Sequence, residues 1–167
     1  FYAHSSSLNY SFGLVVRAQS TTDINAFNGY YVAFRGQNNS FGIYRNVVTN
    51  TDLGTQLASQ SVSGGLNNST LYRISTTLVG SSITAEFHSW NTVTETWTSL
   101  ASLSATDATY ASGGFGFRNG MQGSTRGVYW QDLQVYSVIP EPGQVALVLG
   151  ALVLALAVWR RRSQAAA

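Results

Sequence analysis

Tyr30-Tyr31-Val32-Ala33-Phe34-Arg35, then Gly36-Gln37-Asn38-Asn39-Ser40, then Phe41-Gly42-Ile43-Tyr44-Arg45: these sixteen residues carry the pattern of a β-hairpin. Tyr30, Val32 and Phe34 alternate with Tyr31, Ala33 and Arg35, and a period of two is strand spacing. The five residues between the runs hold one Gly and two Asn, which accept left-handed backbone and bond their own main chain in turns. Upstream, Asn28-Gly29 reads as a further turn. No Pro interrupts either run.

The same period extends in both directions. Residues 10–19 predict a strand with Phe12, Leu14 and Val16 on one face. Residues 53–62 predict a weak strand marked by Leu53, Leu57 and Val62. Leu71 to Val79 alternates Tyr72, Ile74, Thr76 and Leu78 against Arg73, Ser75 and Thr77. Gly80-Ser81-Ser82 is a tight turn, after which Ile83, Ala85 and Phe87 alternate with Thr84, Glu86 and His88. Asn91 to Thr94 turns the chain into residues 97–103. Gly113 to Arg118 points Phe115 and Phe117 inward, and Val128 to Val138 is the last strand. No helical stripe with caps occurs before residue 139. Some nine short strands with turns between them predict an all-β, antiparallel sandwich of the jelly-roll kind for residues 1–138. Because the chain begins at Phe1 rather than Met, the domain is read as N-terminally incomplete.

Charge separates this domain from residues 139–167. All nine basic residues are Arg. Six of them lie in residues 1–138 against six acidic residues, so that part is neutral. The formal charge of +2 belongs to the tail. A neutral domain lacks the basic surface that phosphate neutralisation requires, so nucleic acid is excluded as a partner. Charged residues make up 10% of the chain, against about 25% in an average soluble domain. The absence of Cys removes disulfides, thiolate metal sites and Cys nucleophiles.

Catalytic patterns are sparse. Glu86 and Glu95 are the domain's only Glu residues, and neither has an acidic neighbour in sequence, so the paired carboxylates of a glycosidase are not written locally. Glu86 and His88 share a strand face, but two side chains do not make a catalytic zinc site. Asp52, Asp107 and Asp132 offer oxygen ligands without a dense loop. No Gly-x-Ser-x-Gly elbow is present. Neither catalytic residues, a metal site nor a cofactor is therefore assigned. For carbohydrate binding, Tyr31, Tyr44, Trp90 and Trp97 could present aromatic faces, with Arg35 and Asn91 as polar partners. The competing reading is that these rings pack in the core or pair across strands.

The tail reads Ile139-Pro140-Glu141-Pro142-Gly143-Gln144, an apolar run from Val145 to Trp159, and Arg160-Arg161-Arg162. At about 1.5 Å per residue the run is a short, marginal membrane helix. The Arg cluster would stay cytoplasmic. The order of Pro140-Glu141-Pro142, helix and Arg160 to Arg162 resembles a PEP-CTERM sorting signal. That resemblance implies a linker at 139–143, a transmembrane helix at 144–159 and a basic cytoplasmic tail at 160–167. It further implies an exosortase as processing partner. It also implies export from a Gram-negative-type bacterium that makes exopolysaccharide, with transient anchoring in the inner membrane and delivery to the cell surface or extracellular matrix. Residues 10–138 resemble the concanavalin A-like, or LamG-like, jelly-roll superfamily, through the 30–45 hairpin, Leu71-Tyr-Arg-Ile-Ser75, Gly113-Gly-Phe-Gly-Phe-Arg118 and Val128-Tyr-Trp-Gln-Asp-Leu-Gln-Val135. In that pattern a β-bulge at Gln131-Asp132 would turn both Trp130 and Leu133 inward. The expected function is a non-catalytic surface or matrix protein that binds polysaccharide; the alternative is a carbohydrate-active hydrolase of the same fold.

Overall fold

In a computed structural model of the chain, residues 1–3, 11–19, 26–47, 52–67, 70–119 and 128–136 are described. They form ten strands: β1 (Tyr2–Ala3), β2 (Ser11–Ala18), β3 (Phe27–Arg35), β4 (Ser40–Val47), β5 (Thr55–Ser61), β6 (Tyr72–Val79), β7 (Ser82–Asn91), β8 (Thr96–Thr106), β9 (Gly114–Asn119) and β10 (Val128–Tyr129). Every pairing is antiparallel. Among the described residues there is no helix long and apolar enough to cross a membrane. Pro140, Glu141, Pro142, the 144–159 segment and Arg160 to Arg162 lie outside them. The chain divides into two compact units, 1–131 and 132–167.

The 30–45 hairpin forms as read, with Val32 opposite Ile43 and Phe34 opposite Phe41. It sits at the centre of a five-stranded sheet in the order β5-β4-β3-β2-β9. A second sheet has the order β6-β7-β8. The β1-β10 ribbon joins it through a bridge between Tyr2 and Leu71. Beside that bridge Phe1 and Tyr72 exchange both backbone hydrogen bonds, each at 2.8 Å.

The two sheets face each other across one apolar cluster. Phe12, Val16, Tyr30, Val32, Phe34, Phe41 and Ile43 come from the five-stranded sheet, and Tyr72, Ile83, Ala85, Phe87 and Ala101 from the other. Phe87 is its hub, with ring centroids 5.3 Å from Phe41 and 5.6 Å from both Phe34 and Tyr72. This is the sandwich that the alternating faces require, because each sheet alone would leave one apolar face in water.

Four expectations about faces and turns are corrected. Tyr31 and Tyr44 do not present their rings to solvent: with Val15, Ala18, Phe27, Ala33, Val47 and Leu53 they form a second buried cluster on the outer face of the five-stranded sheet. The unbroken apolar run Tyr30 to Phe34 is the pattern of a strand buried on both faces. Asn28-Gly29 is not a turn but lies within β3, where the register shifts between Phe27 and Tyr30. There Asn28 and Gly29 oppose the single residue Asn46, a β-bulge, with Gly29 at φ 153° and Asn46 at φ 59°. Phe115 has the parity of the inner face, yet β9 is an edge strand and 58% of Phe115 is exposed. Finally, the last strand ends at Tyr129, and no bulge carries Leu133 inward: Leu133 is 46% exposed. The β10 ladder matches only the two residues of β1, and Asp132 at φ 50° breaks the extended chain.

Candidate functional site

The residues proposed for carbohydrate binding separate in space. Tyr31 and Tyr44 are buried. The Tyr31 ring lies under the Arg118 guanidinium at 5.0 Å, and burial holds its hydroxyl up at about 12. Neither ring offers a face to a ligand. Arg35 is half-buried beside Ser11 and Ser40 in the ladder. Trp90, Asn91 and Trp97, by contrast, are brought together at the closed end of the β7-β8 hairpin.

That hairpin builds the site from its turn upward. Trp90 pairs with Trp97 and Asn91 with Thr96. The Asn91 side-chain oxygen accepts the backbone N–H groups of Val93 (2.9 Å) and Thr94 (3.2 Å), an Asx turn that occupies two loop donors. Glu95 takes φ 52° to close the loop. The turn therefore fixes the two Trp residues opposite each other on the outer face of the β6-β7-β8 sheet. Their rings meet edge to face, 5.2 Å between centroids at 63°. Because the planes are not parallel, a sugar can stack on one ring at a time.

Strand register adds three side chains. Arg73, His88 and Ser99 form one cross-strand row, and Ser75, Glu86 and Ser102 form the next. A bulge in β8 sets the phase: Phe87 pairs with Ala101 but His88 pairs with Ser99, leaving Leu100 unmatched and packed on the core. Arg73 reaches from β6 over to β8 and lies 4.6 Å above the Trp97 ring, a cation–π contact that holds the guanidinium in place. Glu86 accepts from Ser75 Oγ at 3.4 Å and lies 3.9 Å from His88 Nε2. Burial, then the charge of Arg73, lowers the His88 pKa below its usual 6.5, while Glu86 opposes the shift. The shift favours the neutral imidazole. Its Nδ1 is buried without a hydrogen-bond partner.

Among the described residues, Glu86, Glu95, Asp107 and Asp52 do not assemble a hydrolytic pair around this face. Asn91 and Thr96 close the hairpin, so Glu95 lies beyond the fifth residue after Glu86, about 16 Å along the strand. Retaining and inverting glycosidases use carboxyls about 5–9.5 Å apart. Asp107 is engaged elsewhere, in an ion pair with Arg45 at 2.6 Å. Asp52 accepts the Gly54 N–H at 2.9 Å. Among the described residues no three His, Asp or Glu side chains converge to hold a metal.

The sequence alone marks Arg73 only as an outward-facing residue. Its alternation with Tyr72 and Ile74 gives the direction, but its partner lies two strands away, and no local pattern encodes that distance. The chain matches no protein-family model, no curated protein and no solved structure.

Proposed function

We propose that this chain is an exported, non-catalytic surface or matrix protein that binds polysaccharide through the outer face of β6-β7-β8. The observation that carries the reading is the cluster of Trp90, Trp97 and Arg73: partly exposed rings and an exposed cation fixed on a sheet face that also carries Glu86, His88 and several Ser and Thr side chains. Ligand sites of this kind combine an aromatic surface with a few positioned polar groups. A concanavalin A-like jelly roll is the proposed fold family, on its strand motifs and the two-sheet arrangement. The PEP-CTERM signal, with its membrane helix at 144–159 and an exosortase as partner, supplies the proposed route to the surface.

Affinity electrophoresis of the full chain in detergent, through gels holding single polysaccharides, tests the binding half. At least one polysaccharide retards the wild type, and Trp90→Ala or Trp97→Ala restores mobility with the circular dichroism spectrum unchanged. Retardation that survives both substitutions would remove this face from the proposal. For the sorting half, intact-mass analysis of the exported protein is expected to show loss of residues after the Pro140-Glu141-Pro142 motif. A mature mass that retains residues 143–167 sinks the processing step.

A further inference from the structure

Resting on that binding face, we infer that its ligand is an acidic, carboxylate-bearing polysaccharide, with Arg73 as the residue that selects the charge. Arg73 is exposed, and among the described residues no carboxylate comes within ion-pair distance of it. Three other described cations are engaged within the fold, and Arg35 is half-buried in the five-stranded sheet, away from this face. Arg45 pairs with Asp107, Arg17 donates to the carbonyls of Gly80 and Tyr110, and Arg118 is buried over Tyr31. Among the described residues Arg73 is therefore a cation positioned by a ring contact, with no hydrogen bond taking up its guanidinium.

Its position suits a sugar acid. The guanidinium crosses β7 to reach Trp97, toward the Trp row and away from the row of Glu86. Glu86, the acid on this face, is turned to Ser75 and His88. The Trp97 ring restrains the guanidinium, so little further freedom is lost when its planar fork meets a carboxylate with two parallel hydrogen bonds. Trp90 stands 5.2 Å from Trp97, close enough for the same sugar to lay its C–H face on the ring. A neutral sugar would use the aromatic surface but not the charge.

The test runs the full chain in detergent through gels of polygalacturonate, dextran and dextran sulfate. The expected result is strong retardation by polygalacturonate and weak retardation by dextran. Arg73→Gln should weaken polygalacturonate binding about ten- to a hundred-fold, and Arg73→Lys should fall between, since it keeps the charge but loses the fork. Equal retardation by dextran and polygalacturonate, with Arg73→Gln silent, overturns the acidic ligand while leaving the Trp face standing. Retardation by dextran sulfate as strong as by polygalacturonate overturns the carboxylate fork in favour of unspecific charge. Mobility unchanged by every polysaccharide overturns both this inference and the binding face on which it rests.

Discussion

Asp107 shows what one side chain does in a neutral domain. It comes directly after β8, where the chain leaves one sheet for the other. Its carboxylate meets Arg45 at 2.6 Å, accepts the Tyr30 hydroxyl at 2.8 Å and accepts the Thr109 N–H at 2.9 Å. Tyr30 in turn accepts the Tyr110 N–H at 3.1 Å. Burial alone would raise the Asp107 pKa, but the bonds from Thr109 and Tyr30 and the charge of Arg45 outweigh it and lower it. Asp107→Ala is expected to cost about 1–3 kcal/mol, because it leaves the half-buried Arg45 guanidinium without its carboxylate, while the Tyr30 hydroxyl keeps the Asp107 carbonyl at 3.0 Å. Urea unfolding at pH 7 measures this; a loss below about 1 kcal/mol would make the network dispensable. Linkage sets the sign of the pH dependence. A lowered Asp pKa gives stability that is full above the unfolded value near 3.9 and lost as pH falls through the folded value. His88 works in a higher window. Its lowered pKa means that the unfolded chain takes up the proton first, so stability is full above about 6.5 and declines as pH drops below it. His88→Gln should flatten that decline between pH 7 and pH 5, while leaving the acid limb below pH 4 intact. An unchanged slope would show that His88 does not carry it.

At the scale of the element, the bulges matter more than the regular ladder. The extra residue in β2 is Arg17, at φ 52°, between Val16 and Ala18. The bulge re-aims its side chain, which donates to Gly80 O at 2.8 Å and Tyr110 O at 2.9 Å. One side chain thus ties β2 to the β6-β7 turn and to the loop that enters β9. The β3 bulge opposite Asn46 lies at the same end of the sheet, and Gly54 packs against Asn46: a Cβ there would fall 1.9 Å from Asn46 O, at φ 75°. Gly80 also has positive φ, 56°, but open space around its Cα. Gly54→Ala should therefore cost at least about 2 kcal/mol, against about 1 kcal/mol for Gly80→Ala, where only the left-handed backbone is penalised. Thermal melts of the two variants side by side check the difference; equal losses would mean that the Gly54 contact relaxes freely.

Across the whole molecule, Phe87 decides whether the sheets hold together. It stacks between rings contributed by both sheets and by Phe1, 6.2 Å away. Phe87→Ala removes these contacts and opens a cavity, a loss of about 3–5 kcal/mol. Near- and far-ultraviolet circular dichroism should shift together in urea; a shift in one alone would mean that the sheets are not one cooperative unit. By itself the sequence determined the β class, the central hairpin, the inward parity of Ile83, Ala85 and Phe87, and the neutrality of the domain. Each of these is local: alternation, turn chemistry and charge are properties of neighbours in the chain. The sequence also carried half of the site, because Trp90, Asn91 and Trp97 belong to one hairpin. What needed the tertiary structure were facts about residues far apart in sequence. Tyr31 and Tyr44 left the candidate set because burial on both faces depends on what covers a sheet, which strand parity does not state. Arg73 entered it because the order of three strands and one bulge at Leu100 place its guanidinium over Trp97. Register between strands is set by the sum of core packing and turn geometry, and that sum is decided only when the whole sandwich closes.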